Sequence, residues 1–291
     1  MGQQRVTTGP GIQVVAGRDG RPLFELPDEL RIEPGRVQRR AVAFVREQLR
    51  KAGRARVVLG LSGGVDSALV AYLVAEAIGP VSLRCLLMPY RTSSPSARAD
   101  AEAVVRELGC AAEVVDVSPM VDAYFDGRPD AGALRRGNFM ARTRMAVLYD
   151  RAGSENALVA GTGNRTETLV GYATLHGDAA WDFNPIGELF KSQVRQLAAA
   201  VGVPEPIIRK APSADLWPGQ TDESEVGVTY PVLDRILHAR VDEGRSRDAA
   251  IALGFDAEVV DRIDRLVARS AFKRRLPPVA RLASRHAHLD H

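Results

Sequence analysis

Arg56-Val57-Val58-Leu59-Gly60-Leu61 runs directly into Ser62-Gly63-Gly64-Val65-Asp66-Ser67, and that into Ala68-Leu69-Val70-Ala71-Tyr72-Leu73-Val74-Ala75-Glu76-Ala77-Ile78. The first run is apolar and β-branched, as a buried strand requires. The last is rich in alanine and leucine at helical spacing and stops at Gly79-Pro80. Strand, glycine turn and helix in this order leave free backbone N–H groups at the positive end of a helix, a place for phosphate. Gly63 and Gly64 allow positive φ and close backbone approach, and Ser62 and Ser67 add hydroxyl donors. Asp66 sets a carboxylate where magnesium could bridge to that phosphate. A lone glycine pair would favour an ordinary capped turn; six such residues in this context favour the phosphate.

The stretch is neither of the commoner phosphate loops, since it holds no Gly-x-x-x-x-Gly-Lys-Ser/Thr and no Gly-x-Gly-x-x-Gly. Ser-Gly-Gly-Val-Asp-Ser instead resembles the pyrophosphate loop of the ATP pyrophosphatase superfamily. That resemblance implies cleavage of ATP between its α and β phosphates and adenylation of a substrate. It places Gly60, Ser62, Gly63, Gly64 and Ser67 against ATP.

Outward from the loop, the chain reads as alternating strands and helices. Val37–Lys51 is an amphipathic helix ended by Gly53. Residues 81–88 form a second buried strand closed by Pro89, 96–108 a helix, 113–117 a third strand, 138–151 a helix and 157–160 a fourth strand. Such alternation predicts a parallel sheet covered by helices on both faces. Further helices are expected at 186–201, 205–209, 232–241, 246–253 and 256–269. The stretch 211–229 reads as a mobile loop, and the tail from Phe272 as extended. Residues 1–34 are rich in glycine, proline and charge. They read as an N-terminal extension, poorly ordered or surface-docked, with an arm packed on a partner subunit as the sharper alternative. Residues 35–291 are expected to form a single domain with C-terminal helices and a tail.

The 291 residues are 45% hydrophobic and 26% charged, ordinary for a globular protein. Thirty-nine Lys and Arg against 36 Asp and Glu leave a formal charge of only +3, which does not point to nucleic acid. Cys85 and Cys110 have no metal-site spacing and read as small core residues in a reducing compartment. With no membrane-length apolar run and no signal-like hydrophobic region, a cytoplasmic location is expected.

The second strand end with site chemistry is Gly161-Thr162-Gly163-Asn164-Arg165-Thr166-Glu167. Open α/β sheets bind ligands at such ends. Thr162 could donate to a phosphate or ribose. Glu167 is either a second magnesium ligand facing Asp66 or an ordinary first-turn glutamate on a capped helix. His176-Gly177-Asp178-Ala179-Ala180-Trp181-Asp182-Phe183-Asn184-Pro185 could hold a nucleoside, or be a turn with a buried tryptophan. His176 is expected to be solvated. Lys191 is either a solvated helix residue or, aimed at the sheet edge, a point charge for a transferring phosphate. Ser213 is a hydroxyl donor to the same group.

Taken together, LGLSGGVDS, GNFMARTRM, GTGNRTETLVGY, HGDAAWDFNPIGELFKSQ, PSADLWPGQTDE and FKRRLPP make residues 37–280 resemble the NAD synthetases, in that family's order and spacing. The resemblance implies a Rossmann-like doubly wound fold, adenine nucleotide alpha hydrolase-like, and a homodimer. It implies that ATP adenylates the nicotinate carboxylate of deamido-NAD, releasing pyrophosphate, and that ammonia then displaces AMP to give NAD. Carried over, Asp66, Lys191 and Ser213 are catalytic, and Asp66 and Glu167 hold Mg2+. Thr162, Lys191 and Ser213 join the loop in binding ATP. Asn138, Arg142, Asp178 and Lys273 bind deamido-NAD, the first two across the dimer interface. An arginine fork suits dinucleotide phosphates.

One departure stands out. The family's Gly-Asp-Gly-Gly is Gly177-Asp178-Ala179-Ala180 here, followed by Trp181. Two added methyl groups either are tolerated or re-aim the pocket toward a different carboxylate. No glutaminase domain fits beside this core and neither cysteine sits in a nucleophile setting, so free ammonia, or ammonia from a separate partner, is the expected nitrogen donor. A thiolating RNA-modifying relative is the less favoured alternative. It would want reactive cysteines and a basic surface.

Overall fold

The computed structural model describes residues 12–17, 22–213, 215–217 and 221–280. Its centre is a four-stranded sheet in the order β5-β4-β3-β6, from β3 (Arg56–Gly60), β4 (Leu83–Leu87), β5 (Ala111–Val114) and β6 (Ala157–Ala160). All pairs are parallel, with Leu59 opposite Cys85 on one side and Ala160 on the other. The period of two in β3 sorts its side chains between two cores. Val57 and Leu59 enter one with Leu69, Leu73 and Val74 of α2 (Val65–Ile78). Val58 enters the other with Met145, Leu148 and Ala152 of α5 (Ala133–Glu155). The sheet is therefore covered on both faces, as the strand–helix alternation predicts, and Rossmann-like, as the resemblance implies.

Helix α1 (Pro34–Ala52) begins on a proline and stops where Gly53 takes φ 61°. It packs with α2 and α7 (Lys191–Val201). α3 (Pro95–Leu108) links β4 to β5, and α4 (Ser118–Phe125), which the sequence pattern did not announce, precedes α5. α6 (Arg165–Val170) follows β6. Beyond α8 (Glu205–Arg209), α9 (Asp222–Val226), α10 (Tyr230–Leu237), α11 (Arg247–Ala252) and α12 (Ala257–Arg269) gather around a separate apolar cluster that includes Leu233, Ile236, Val260 and Ile263.

Several expectations are corrected. The described part of the N-terminal stretch forms an antiparallel hairpin, β1 (Ile12–Ala16) with β2 (Pro22–Pro27), and Phe24 and Leu26 enter the main core. Residues 1–11 and 18–21 lie outside the described residues. The helix expected from Ile186 starts at Lys191, because the Asn184 side chain accepts from Ile186 N at 3.0 Å and holds a turn there. The stretch 211–229 contains α9, whose N-cap Thr221 accepts from Ser224 N at 3.3 Å. Ala214 and residues 218–220 are not described. The tail opens with a 3-10 turn over Ala271–Arg274 before it extends.

Candidate active site

β3, β6 and the loops that follow them end at one rim, and a cleft of about 730 Å³ opens over it. Ser62, Gly63, Gly64, Asp66, Ser67, Thr162, Glu167, Asp178, Lys191, Ser213 and Lys273 all line it. A second chamber of about 530 Å³ adjoins it, with Gly60, Met88 and Arg144 on its walls and Ser62, Thr162 and Asp178 shared.

The phosphate loop holds its own shape. Ser67 Oγ accepts from Ser62 N at 3.2 Å and donates to Gly64 O at 3.1 Å, and Gly64 N donates to Ser62 Oγ at 3.3 Å. Gly63 sits at φ +79°, and a Cβ there would lie 2.0 Å from Ala97 O. Only glycine fits that left-handed residue against the start of α3.

Lys191 is the centre of the cleft's electrostatics and is 3% exposed. It is the first residue of α7 rather than a solvated residue further along. Its ammonium donates to Asp66 Oδ2 at 2.5 Å and to Glu167 Oε1 at 3.2 Å. Burial pulls the Lys191 ammonium toward neutrality, but Asp66 and Glu167 outweigh burial and hold it charged. Glu167 is pushed well above the usual carboxylate range, chiefly by burial, with Lys191 pulling it back and Asp66 pushing further. Asp222, 4% exposed, faces the same cleft and bonds Tyr230 OH at 2.9 Å.

Glu167 is the first-turn glutamate of a capped helix and also reaches the cleft. Asn164 caps α6, its side chain accepting from Glu167 N at 3.0 Å while Glu167 Oε2 accepts from Asn164 N at 3.3 Å. The same carboxylate still reaches Lys191 with its other oxygen. Asn164 also donates from Nδ2 to Asp66 Oδ1 at 2.9 Å.

Among the described residues no set of three or more His, Cys, Asp or Glu groups converges in a metal-holding geometry. The donor chemistry nonetheless fits magnesium. Asp66 and Glu167 offer hard carboxylate oxygens around one ammonium, Asp222 lines the same cleft, and phosphate and water oxygens would complete the shell.

Asp178 faces the cleft and accepts from Thr174 N at 2.7 Å. Its place among the cleft walls pushes its carboxyl upward, against the Thr174 N–H bond and the pull of Lys273. Lys273 Nζ donates to Gly171 O at 2.8 Å and Ala173 O at 2.7 Å, fixing the same loop. Ala179, Ala180 and Trp181 line the cleft, and Trp181 packs so closely on Gly161 that a Cβ there would lie 2.5 Å from its ring. His176 is exposed. Asn138 and Arg142 do not line the cleft of their own chain. Asn138 accepts from Thr174 Oγ1 at 2.8 Å and the Arg142 guanidinium bonds Leu175 O at 3.1 Å, both bracing the 174–178 loop from behind.

Sequence reasoning passed over Asn164 and Asp222. The first carried a readable signal, an N-cap type three residues before a glutamate. Asp222 carried none, lying in a stretch without periodicity. Arg144, which donates from Nε to Met88 O at 2.9 Å in the second chamber, lies in the GNFMARTRM string without a role assigned from sequence.

A parallel sheet with a serine–glycine loop at its switch region, and a buried lysine shared by two carboxylates above it, defines an α/β enzyme of the ATP pyrophosphatase type. The family model for NAD synthase matches residues 37–277. An NH(3)-dependent NAD(+) synthetase of Trichlorobacter lovleyi is 50% identical over 256 residues, 88% of this chain and 94% of that protein. One of Chlorobaculum tepidum is 45% identical over 264 residues, 91% of this chain and 95% of that protein. Among solved structures, NMN synthetase from Francisella tularensis superposes with TM-score 0.77 at 32% identity, covering 86% of this chain and 99% of that one. The NH3-dependent NAD synthetase from Campylobacter jejuni gives 0.74 at 30%, covering 86% and 100%. This chain belongs to the NAD synthase family, a family of ligases.

Proposed function

We propose that this protein amidates deamido-NAD, using ATP and ammonia. The observation that carries the reading is the Lys191 ammonium held between Asp66 and Glu167 above the phosphate loop. The nicotinate oxygen forms a bond to the α-phosphorus of ATP as the bond to the β-phosphate oxygen breaks and pyrophosphate leaves. The ammonia nitrogen then bonds the acyl carbon, the carbon–oxygen bond to AMP breaks, and the surplus proton passes to solvent.

A carboxylate is a poor nucleophile toward another anion, so charge on the α and leaving phosphates has to be offset. The loop N–H groups, Ser62, Ser67, Thr162, Ser213 and Lys191 supply that field in a cleft with restricted water. Magnesium, held by Asp66 and Glu167, would neutralise charge on the leaving pyrophosphate. Asp178 and Lys273 orient deamido-NAD. Asn138 and Arg142 are proposed to reach it from a partner subunit in a homodimer. Exposed Met120, Tyr124 and Leu134 on α4 and α5 support an interface beside them. The β1–β2 hairpin, with Phe24 and Leu26 in the main core, is taken as part of one domain with residues 35–280.

Ammonia is taken free or from a separate supplying partner. No helix among the described residues is long and apolar enough to cross a membrane. The free, buried Cys85 and Cys110 suit a reducing, cytoplasmic setting, with neither membrane nor nucleic acid as partner.

A second reading, amidation of a smaller acid, is favoured by two observations. They are the likeness to the Francisella NMN synthetase and the Ala179-Ala180 methyl groups in the cleft. One incubation decides: ATP, magnesium, ammonium and either deamido-NAD or the mononucleotide acid corresponding to NMN, with products weighed by mass spectrometry. NAD with stoichiometric AMP supports the first reading; NMN alone replaces it with the second.

A further inference from the structure

Asp234 lies in α10, fully buried, and it is not among the residues lining the cleft. Its Oδ1 accepts from Thr166 Oγ1 at 2.5 Å, and its Oδ2 accepts from Ser192 N at 2.8 Å and Ser192 Oγ at 2.7 Å. Thr166 Oγ1 in turn accepts from Lys191 N at 2.9 Å. The partners are telling. Thr166 is the residue before Glu167 in α6, and Ser192 is the residue after Lys191 in α7. One buried carboxylate thus ties together the first turns of the two helices that deliver the ammonium and its carboxylate.

We propose that Asp234 is a positioning residue for adenylation, fixing through Thr166 and Ser192 the relation of Lys191 to Glu167. The proposal rests on the function inferred above and goes beyond it to a residue that touches neither substrate nor metal. Covering a carboxylate with apolar side chains is costly unless each oxygen is bonded, and both oxygens here are bonded. An apolar residue would fill the α10 position, yet only an acceptor with two oxygens can bridge both helix starts. A lysine side chain swings on a long stem, so fixing the backbone on either side of it restricts where its charge can lie. An ångström of misplacement in such a site costs on the order of 10²-fold in rate.

The test uses full-length Asp234→Asn, Thr166→Val and Ser192→Ala proteins, with pyrophosphate release, melting temperature and calorimetric binding of α,β-methylene-ATP with magnesium. Asp234→Asn and Thr166→Val are expected to lose about 10- to 100-fold in kcat while remaining folded. KM for ATP and the analogue's Kd should change much less than kcat, within about threefold, because the charge that Lys191 meets on the leaving phosphate grows in the transition state. Folded variants with wild-type kcat, or with raised KM and unchanged kcat, would overturn the proposal. Should Asp234→Asn fail to fold, Thr166→Val, which keeps the side chain's shape and removes the hydroxyl that joins Asp234 to Lys191 N, carries the same two outcomes. A crystal structure of Thr166→Val reads the point without any substrate. A Lys191 ammonium displaced from Asp66 or Glu167 supports the proposal, and an unmoved one overturns it. Wild-type protein that releases no pyrophosphate with deamido-NAD counts against the proposed function alone, and the crystallographic result still decides the role of Asp234.

Discussion

Asn164 donates to Asp66 across 98 residues of sequence, at 2.9 Å, so the cap of α6 and the phosphate loop form one hydrogen-bonded unit. The same side chain accepts from Glu167 N. Asn164→Ser should keep the cap and lose the bond to Asp66, because serine caps well but is too short to reach across. Melting should stay close to wild type while turnover drops by about tenfold, the value of one charge-assisted hydrogen bond of roughly 1.5 kcal/mol. Parallel calorimetry and pyrophosphate release separate the two; a large melting loss with normal turnover would show the bond to be purely structural.

Lys191→Ala removes the ammonium that Asp66 and Glu167 share. Turnover should drop on the order of 10²–10³, as for loss of one transition-state donor. Stability should fall by about 3 kcal/mol, because buried carboxylates lose their cation. Magnesium should then raise the melting temperature of this variant more than that of wild type, by filling the place between them. An equal magnesium shift in both proteins places the metal elsewhere. Asp66→Asn should weaken the magnesium dependence of turnover, read as a shifted titration midpoint.

At the loop itself, two neighbouring glycines should answer differently. Gly63→Ala places a methyl 2.0 Å from Ala97 O at φ +79°. A cost of about 1–3 kcal/mol and loss of ATP binding are expected. Gly64→Ala meets only Ser62 Oγ at 3.4 Å, at φ −92°. It should melt like wild type and bind ATP weakly, because the methyl lies where phosphate approaches. Comparing melting curves with nucleotide titrations distinguishes strain from blocked access.

Stability should depend on pH through Asp234. Burial pushes its carboxyl up, to about 6, against the donors from Thr166 and Ser192. In an unfolded chain it titrates at about 4. The folded state therefore holds the extra proton between those values. The group's contribution favours folding below pH 4 and is lost as pH rises through 6. The melting difference, wild type minus Asp234→Asn, should shrink from pH 4 to 6 and stay level above 7. A difference that grows across that window would reverse the sign of the shift.

Much of this architecture is written locally in the sequence. The Val57-Val58-Leu59 run, the paired glycines and the helix after them fix a strand–loop–helix unit by propensity and backbone sterics, and the structure shows it there. The residues of the phosphate loop, with Thr162, Glu167 and Lys191, meet at one rim because parallel strands share an end. What stayed illegible depends on contacts between distant segments. Phe24 and Leu26 lie in a stretch that reads as an extension, and only the surface of α7 and α8 makes β2 part of the core. Asp234 sits on an amphipathic helix whose period says only which face is inside, not that a carboxylate on that face finds three donors. Asn138 and Arg142 brace a loop from behind, which residue type and spacing cannot distinguish from facing the cleft.

The strand order has a consequence for how the chain is made. β3 pairs with β4 on one side, but its other neighbour, β6, follows about a hundred residues later. At ribosomal speeds of about 5–20 residues per second, one edge of Val57-Val58-Leu59 stays open for roughly 5–20 s of synthesis. Until β6 arrives, that strand edge has no protein partner, the kind of surface that pairs with other chains. The hairpin that buries Phe24 and Leu26 waits still longer, for α7. The catalytic rim and the sheet's protection from aggregation are therefore completed by the same late segment.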